Sequence, residues 1–303
     1  MRFSDIKGHG KMKKTKKPIV ALMYDFDKTL CTTDMQNYEL IPNLGVKKDA
    51  FWRKSTELAE NPEAPMDRVL AYMYQILRAS KTAEKPVRRE NFVQFGKSVE
   101  FFPGVEEWFG RINEFGKTQG VQIQHYIISS GLKEIIEGTA IAHEFERIYA
   151  CEFHYDENGA AVWPAVAVNF TGKTQFLYRI NKQALELWDD RTINQYVPEN
   201  ERPVPFRNMI YFGDGVTDVP CMKLVKVNGG CSIGVYSGRR PPVCDRLIGE
   251  GRVDFVFKAD YSEGSELDLC VKDVVTQMAS KDRLVRLSLK QAEKTADSGK
   301  NRK

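Results

Sequence analysis

The sequence predicts an α/β protein: a parallel β-sheet covered by helices on both faces, a three-layer α/β/α core, with a helical insertion after its first strand. Three observations lead to this class. Short apolar runs alternate with stretches of helical period along most of the chain, the pattern of linked βαβ units. Two of those runs, at 21–24 and 209–212, stop abruptly at aspartates, and in an open parallel sheet the strand ends line the ligand crevice. About 100 residues separate Asp25 from Ser129, too many for a bare crossover between neighbouring strands.

The elements follow in order. A strand beginning near Pro18 runs to Asp25. Residues 32–100 read as helical: Met66, Val69, Leu70, Met73 and Leu77 lie at the i, i+3, i+4, i+7 spacing of one helix face. A weaker helical stretch covers 55–60, and Asn61-Pro62 stops it. Pro103 and Gly104 then open a helix with Val105, Trp108, Phe109 and Ile112 on one face, a proper place for proline. Next come a strand at 123–128, a helix from Leu132, a strand at 147–151, a helix from Lys173 and a strand at 209–212. Further strands at 231–236 and 253–257 complete the sheet. Asp156-Glu157-Asn158-Gly159, between two strand-like runs, reads as a hairpin turn.

The acidic strand ends carry the chemistry. An unpaired buried charge is expensive, so Asp25 and Asp27 at one tip, and Asp214 and Asp218 at another, call for a metal or an electrophile between them. Asp25-Phe26-Asp27-Lys28-Thr29 followed by Gly213-Asp214-Gly215-Val216-Thr217-Asp218 resembles the DxDxT and GDGxTD signatures of the haloacid dehalogenase superfamily. Residues 18–280 can be laid onto that pattern, and the hairpin at 151–163 resembles one in its phosphoserine-phosphatase-like branch.

The resemblance implies a Rossmann-like core over 18–31 and 101–280, and a small helical cap over 32–100 that closes on the substrate. It implies that Asp25 is a nucleophile forming an aspartyl-phosphate and that Asp27 is the general acid and base. Ser129, with Ser130 one step on, matches the superfamily's second motif. Lys173 matches the lysine of the third, with Lys182 as the alternative, and both motifs hold phosphoryl oxygens. The backbone N–H groups of Phe26, Asp27 and Ser130 are further candidate donors. Mg2+ is the implied cofactor, held by Asp25, the main chain of Asp27, and Asp214, with Asp218 behind them; such an all-oxygen site suits a hard cation. Gly213 and Gly215 would let the backbone turn beside a ligand, and Thr217 reads as a structural hydroxyl.

The retained Asp27 and the Asp214/Asp218 pair favour phosphoryl transfer over haloalkanoate dehalogenation, which needs neither a second aspartate nor magnesium. No stretch approaches the ~20 apolar residues of a membrane span, which excludes the superfamily's transport ATPases. The expected activity is a Mg-dependent phosphatase acting on a small phosphorylated metabolite. A phosphotransferase, or a catalytically quiet protein that binds through its basic ends, are the alternatives. Lys47, Lys48, Arg53, Arg68 and Arg78 are candidates for an anionic substrate tail or form a solvated face. His125, His143 and His154 lack metal-ligand spacing and read as structural.

The chain has 303 residues, 42% of them hydrophobic, and a formal charge of +4, ordinary for one globular core with an insertion. That charge is uneven: residues 1–17 carry +6 and 281–303 carry +5, leaving −7 for the rest. These ends read as solvated basic tails, so nucleic acid is not expected as a partner. Six cysteines without a CxxC pair, and lysines with no apolar signal region after them, point to reduced thiols and a cytoplasmic protein.

Overall fold

The computed structural model describes residues 17–300. Seven strands form one sheet: β1 (Ile19–Tyr24), β2 (Gln122–Leu132), β3 (Arg147–Tyr155), β4 (Ala161–Val166), β5 (Met209–Gly213), β6 (Cys231–Tyr236) and β7 (Phe255–Lys258). Their spatial order is β4-β3-β2-β1-β5-β6-β7, with β1 in the middle. All neighbours are parallel except β3 and β4, which form the hairpin. The sheet is thus mostly parallel and flanked by helices, a Rossmann-like α/β fold.

Eleven α-helices are described: α1 (Leu40–Asn43), α2 (Lys48–Ala59), α3 (Arg68–Thr82), α4 (Arg89–Phe95), α5 (Val105–Thr118), α6 (Lys133–Glu137), α7 (Thr174–Lys182), α8 (Asp190–Asn194), α9 (Val219–Val227), α10 (Pro242–Gly249) and α11 (Glu266–Lys300). The first four lie between β1 and β2, where the sequence reads as helical. α3 starts at Arg68 and not at Met66 because Asp67 caps it, its Oδ1 accepting from the N–H groups of Val69 at 2.9 Å and Leu70 at 3.1 Å. The base of this insertion meets the core backbone to backbone. A methyl at Gly138 would strike the carbonyl oxygen of Val93, so only glycine lets α4 approach α6 so closely.

The C-terminal segment corrects an expectation. Residues 281–300 are not a separate tail; they continue α11. Leu267, Val271, Val274, Val275 and Met278 are buried, and the same helical stripe reaches Asp282, 6% exposed, which faces Arg207 at 3.7 Å and Arg286 at 2.6 Å. The basic N-terminal segment lies outside the described residues except for Lys17. Among the described residues no helix is long and apolar enough to cross a membrane, and all six cysteines are free.

Strand β2 buries His125 against α5. Trp108 Nε1 donates to Tyr24 OH at 2.8 Å, and Tyr24 OH lies 3.1 Å from His125 Nδ1. His125 Nε2 lies 3.2 Å from Asn113 Oδ1. Because Asn113 Oδ1 can only accept, the proton sits on Nε2 and Nδ1 accepts from tyrosine. Burial lowers this imidazole's pKa to about 3. The unfolded chain takes up that proton below about 6.5 while the folded chain does not, so this group removes stability as pH falls from there toward 3. At pH 5, the 15N shifts of His125 should therefore report a neutral, Nε2-protonated ring. A charged ring at that pH would overturn this account.

Candidate active site

Parallel pairing brings three strand ends together. Tyr24 is level with Ile127 of β2 and with Phe212 of β5, and the Asp25 N–H donates to Phe212 O at 2.9 Å. The next residues are Asp25, Ile128 followed by Ser129 where the register of β2 shifts, and the Gly213–Asp214 turn. Each apolar run thus delivers its polar end to one edge of the sheet.

Asp25 is buried, and its Oδ1 accepts from the Phe26 N–H at 2.8 Å and from Lys173 Nζ at 3.0 Å. Lys173 sits where a 3-10 turn, Thr171–Lys173, passes into α7; it has no exposed surface and reaches Asp218 Oδ1 at 2.7 Å. Tyr211 OH donates to that same oxygen at 2.8 Å, while Thr217 Oγ1 lies 3.4 Å from Asp218 Oδ2. The carboxylates of Asp25, Asp214 and Asp218 each offer an oxygen within 4.8 Å of the others.

Asp27 stands apart from that cluster. Its Oδ1 accepts from the Met35 N–H at 2.7 Å and faces Cys31 Sγ at 3.7 Å. Its Oδ2 borders Gly131, where a Cβ would come within 3.2 Å. Lys28, next along, has φ 58 and pairs with Asp34 at 2.7 Å. Ser129 is fully buried, its Oγ accepting from the Gly131 N–H at 3.0 Å. The Ser130 carbonyl accepts from Tyr72 OH of α3 at 2.7 Å. One turn earlier on that helix, Asp67 Oδ2 accepts from Asn169 Nδ2 at 2.8 Å. The insertion is thereby tied to the last residues of β2, which bear Ser130, and to the loop leading to Lys173.

Electrostatics describe a surplus of negative charge. Burial, then Asp218, pushes the Asp25 carboxyl well above its ordinary range, against the pull of Lys173. Burial and then Asp218 raise Asp214 to about 7, and burial and then Asp34 raise Asp27 to about 7. Burial works against the charge on Lys173, but Asp218 and then Asp25 raise its pKa. Three carboxylates converging around one ammonium group, with oxygen donors alone, fit a hard divalent cation.

Two expectations need revision. The Phe26 N–H is committed to Asp25, so it is not an open donor. Neither Gly213 nor Gly215 has positive φ; Gly213 is required because Asp218 packs on it, its Cγ 2.6 Å from where a Cβ would stand. Lys182 lies elsewhere, donating to the carbonyls of Ile193 at 2.6 Å and Gln195 at 2.8 Å. Sequence reasoning missed Tyr211, Asp34, Met35 and Tyr72. Only Tyr211 had a local signal: strand alternation puts it on the same face as Gly213, the glycine against which Asp218 packs.

Comparison with known proteins agrees with this fold. The family described as haloacid dehalogenase-like hydrolase matches residues 22–223. A protein of Borreliella burgdorferi described as uncharacterized is 30% identical in an alignment of 275 residues that covers 82% of this chain and 94% of that one. Among solved structures, the chain is similar to a substrate-bound phosphoserine phosphatase, with TM-score 0.50 and 17% identity over 82% of this chain and 96% of the other. A HAD family hydrolase from Salmonella enterica serovar Typhi gives TM-score 0.53 and 15% identity, covering 84% and 71%. A probable phosphoserine phosphatase from Vibrio cholerae gives 0.54 and 15%, covering 88% and 67%.

The packing at Gly213 generates a contrast. Gly213→Ala forces Asp218 away from partners that hold it on two sides, and overpacking of this kind costs about 1–3 kcal/mol. A Cβ at Gly215 would meet only Thr217 Oγ1, at 4.0 Å, so Gly215→Ala should be near neutral for folding. Denaturant unfolding of both variants checks this, and equal midpoints would contradict the role given to Asp218.

Proposed function

The chain belongs to the haloacid dehalogenase-like hydrolases, and from that premise we propose that it is a magnesium-dependent phosphatase that hydrolyses a small phosphomonoester through an aspartyl-phosphate. The observation that carries this reading is the division of labour among the carboxylates. Asp25 is braced by Lys173 beside Asp214 and Asp218, whereas Asp27 is held separately by the Met35 N–H.

With Oδ1 of Asp25 turned to Phe26 N–H and Lys173, Oδ2 is the atom that attacks phosphorus. The new O–P bond forms as the bond to the leaving oxygen breaks, and Asp27 delivers a proton to that oxygen. Asp27, now a carboxylate, takes a proton from water as the water attacks phosphorus, releasing Asp25 and inorganic phosphate. Lys173 and the Ser129–Ser130 loop hold the phosphoryl oxygens, which lowers the cost of charge developing there. A bound Mg2+ supplies fixed positive charge against those oxygens, and Asp25, Asp214 and the Asp27 carbonyl would hold it, with Asp218 orienting its surroundings. The helical insertion, tied down through Tyr72 and Asp67, acts as the cap that excludes bulk water. Free thiols throughout the chain support a reducing, cytoplasmic setting.

Phosphate release from p-nitrophenyl phosphate should require Mg2+, vanish with chelator, and fall below about 1% of the parent in Asp25→Asn, because a carboxamide is a poor nucleophile. Full turnover in excess chelator would sink the magnesium reading, and turnover within tenfold in Asp25→Asn would sink the covalent one. Added alcohols that divert the phosphoryl group into new esters would instead identify a phosphotransferase.

Asp27→Asn should slow single-turnover phosphorylation by alkyl phosphates by the 10²–10⁴ typical of lost acid–base catalysis. The loss should be smaller with nitrophenyl phosphate, whose leaving oxygen needs no proton. Equal losses for both esters would remove Asp27 from that role.

A further inference from the structure

The first turn of the insertion reaches the reaction centre through one residue. Met35 opens a 3-10 turn, Met35–Asn37, and is 1% exposed. Its N–H donates to Asp27 Oδ1 at 2.7 Å. Its side chain runs to the far end of β2, where the Leu132 N–H donates to Sδ at 3.2 Å. A Cβ on Gly131 would strike the terminal methyl of Met35 and stand 2.8 Å from its Sδ. The same residue therefore touches the Asp27 carboxylate with its main chain and the Gly131–Leu132 segment with its side chain. An unbranched, polarisable thioether suits both tasks there, filling the space above a glycine and accepting weakly from an N–H.

The other ties of this turn are shallower. Three residues of 3-10 helix carry little stability of their own, and Asp34 before them makes no side-chain cap bond. Asp34 instead pairs with Lys28 at 2.7 Å, both partly exposed, and such pairs contribute little. Asn37 Oδ1 accepts from Trp52 Nε1 at 2.9 Å, a contact within the insertion. The thioether side chain joins the turn to the end of β2.

We propose that Met35 is a positioning residue for the acid–base step: its side chain, seated on Gly131 and the Leu132 N–H, places the N–H that orients Asp27. This rests on the reading of Asp27 as general acid and base. With Oδ1 held by Met35, Oδ2 lies on the Gly131 side and is the oxygen that gives its proton to the leaving group. Such a transfer needs about 2.6–3.2 Å between heavy atoms, and a misplacement of about 1 Å can cost about a hundredfold. A shift of the turn acts on protonation of the leaving oxygen and not on attack by Asp25, whose own contacts are the Phe26 N–H and Lys173.

Single-turnover phosphorylation of the full chain by phenyl phosphate and by p-nitrophenyl phosphate tests this, because the two are alike in shape and the phenyl ester needs the proton more. Met35→Ala should slow phenyl phosphate by at least about tenfold and p-nitrophenyl phosphate by less than about threefold. Met35→Leu keeps apolar volume but lacks the sulphur; it should show the same split on a smaller scale, and it carries the test if the alanine variant does not fold. In an Asp27→Asn background, Met35→Ala should add less than about twofold. A 15N-labelled sample gives a readout without substrate: the amide proton of residue 35, drawn downfield by the carboxylate, should move upfield in both Met35 variants. Asp27→Asn is the reference. If it slows both esters alike, the acid–base reading falls and this one with it. If it separates them while the Met35 variants slow both alike or neither, or leave that amide proton in place, Met35 only fills space and the proposal alone is overturned.

Discussion

Lys173 has no exposed surface, and its ammonium group lies 2.7 Å from Asp218 and 3.0 Å from Asp25. Taking such a charge out of water carries a penalty of several kcal/mol, which only close, well-oriented counter-charges offset. Both acids lie at the ends of buried strand segments or the turns that follow them, so the lysine binds together the first strand, the β5 turn and the start of α7. Tyr211 and Gly213 belong to the same constraint: one fixes the oxygen of Asp218 that faces the lysine, the other leaves room for that carboxylate to lie flat against the strand. Removing one member would leave an uncompensated buried charge, which costs far more than a surface pair is worth. The local negative surplus that remains, offered by carboxylate oxygens alone, is of the kind that suits a hard cation.

The insertion is held to this centre by polar contacts and not by apolar packing alone. Asp67 uses one oxygen to cap α3 and the other to accept from Asn169. Tyr72, one turn on, holds the Ser130 carbonyl. The residues that end the β2 strand and precede Lys173 therefore each have a partner on the same helix. A shift of α3 along its axis would disturb both loops together.

Much of the core was legible because its signals are local. An apolar run that stops at an aspartate shows in a handful of residues, and β1 and β5 were read to within a residue or two of their observed ends. The stripe through Val69 and Met73 likewise located α3, missing only the capping effect of Asp67. Tyr72, Met35 and Asp34 stayed invisible because their roles depend on where a helical insertion folds back, and no spacing encodes that. The C-terminal segment was misjudged for a different reason. Its net charge of +5 suggested a tail, yet Val285 and Leu289 continue the helical stripe beyond Asp282 and line a cavity with Pro203 and Pro205. Charge along a long helix does not prevent its packed face from running on past the last apolar layer, here to Asp282.

The central place of β1 has a consequence for the growing chain. Its partners begin at Gln122 and Met209, so the strand made first cannot be enclosed until about 190 further residues exist. At the usual pace of about 5–20 residues per second, the Val20–Tyr24 run spends roughly ten to forty seconds without its final neighbours. An apolar stretch rich in strand formers is, in that interval, able to pair with other nascent chains. Lysines at 13, 14, 16 and 17 stand directly before it, where like charges on neighbouring polypeptides repel and hold such encounters off.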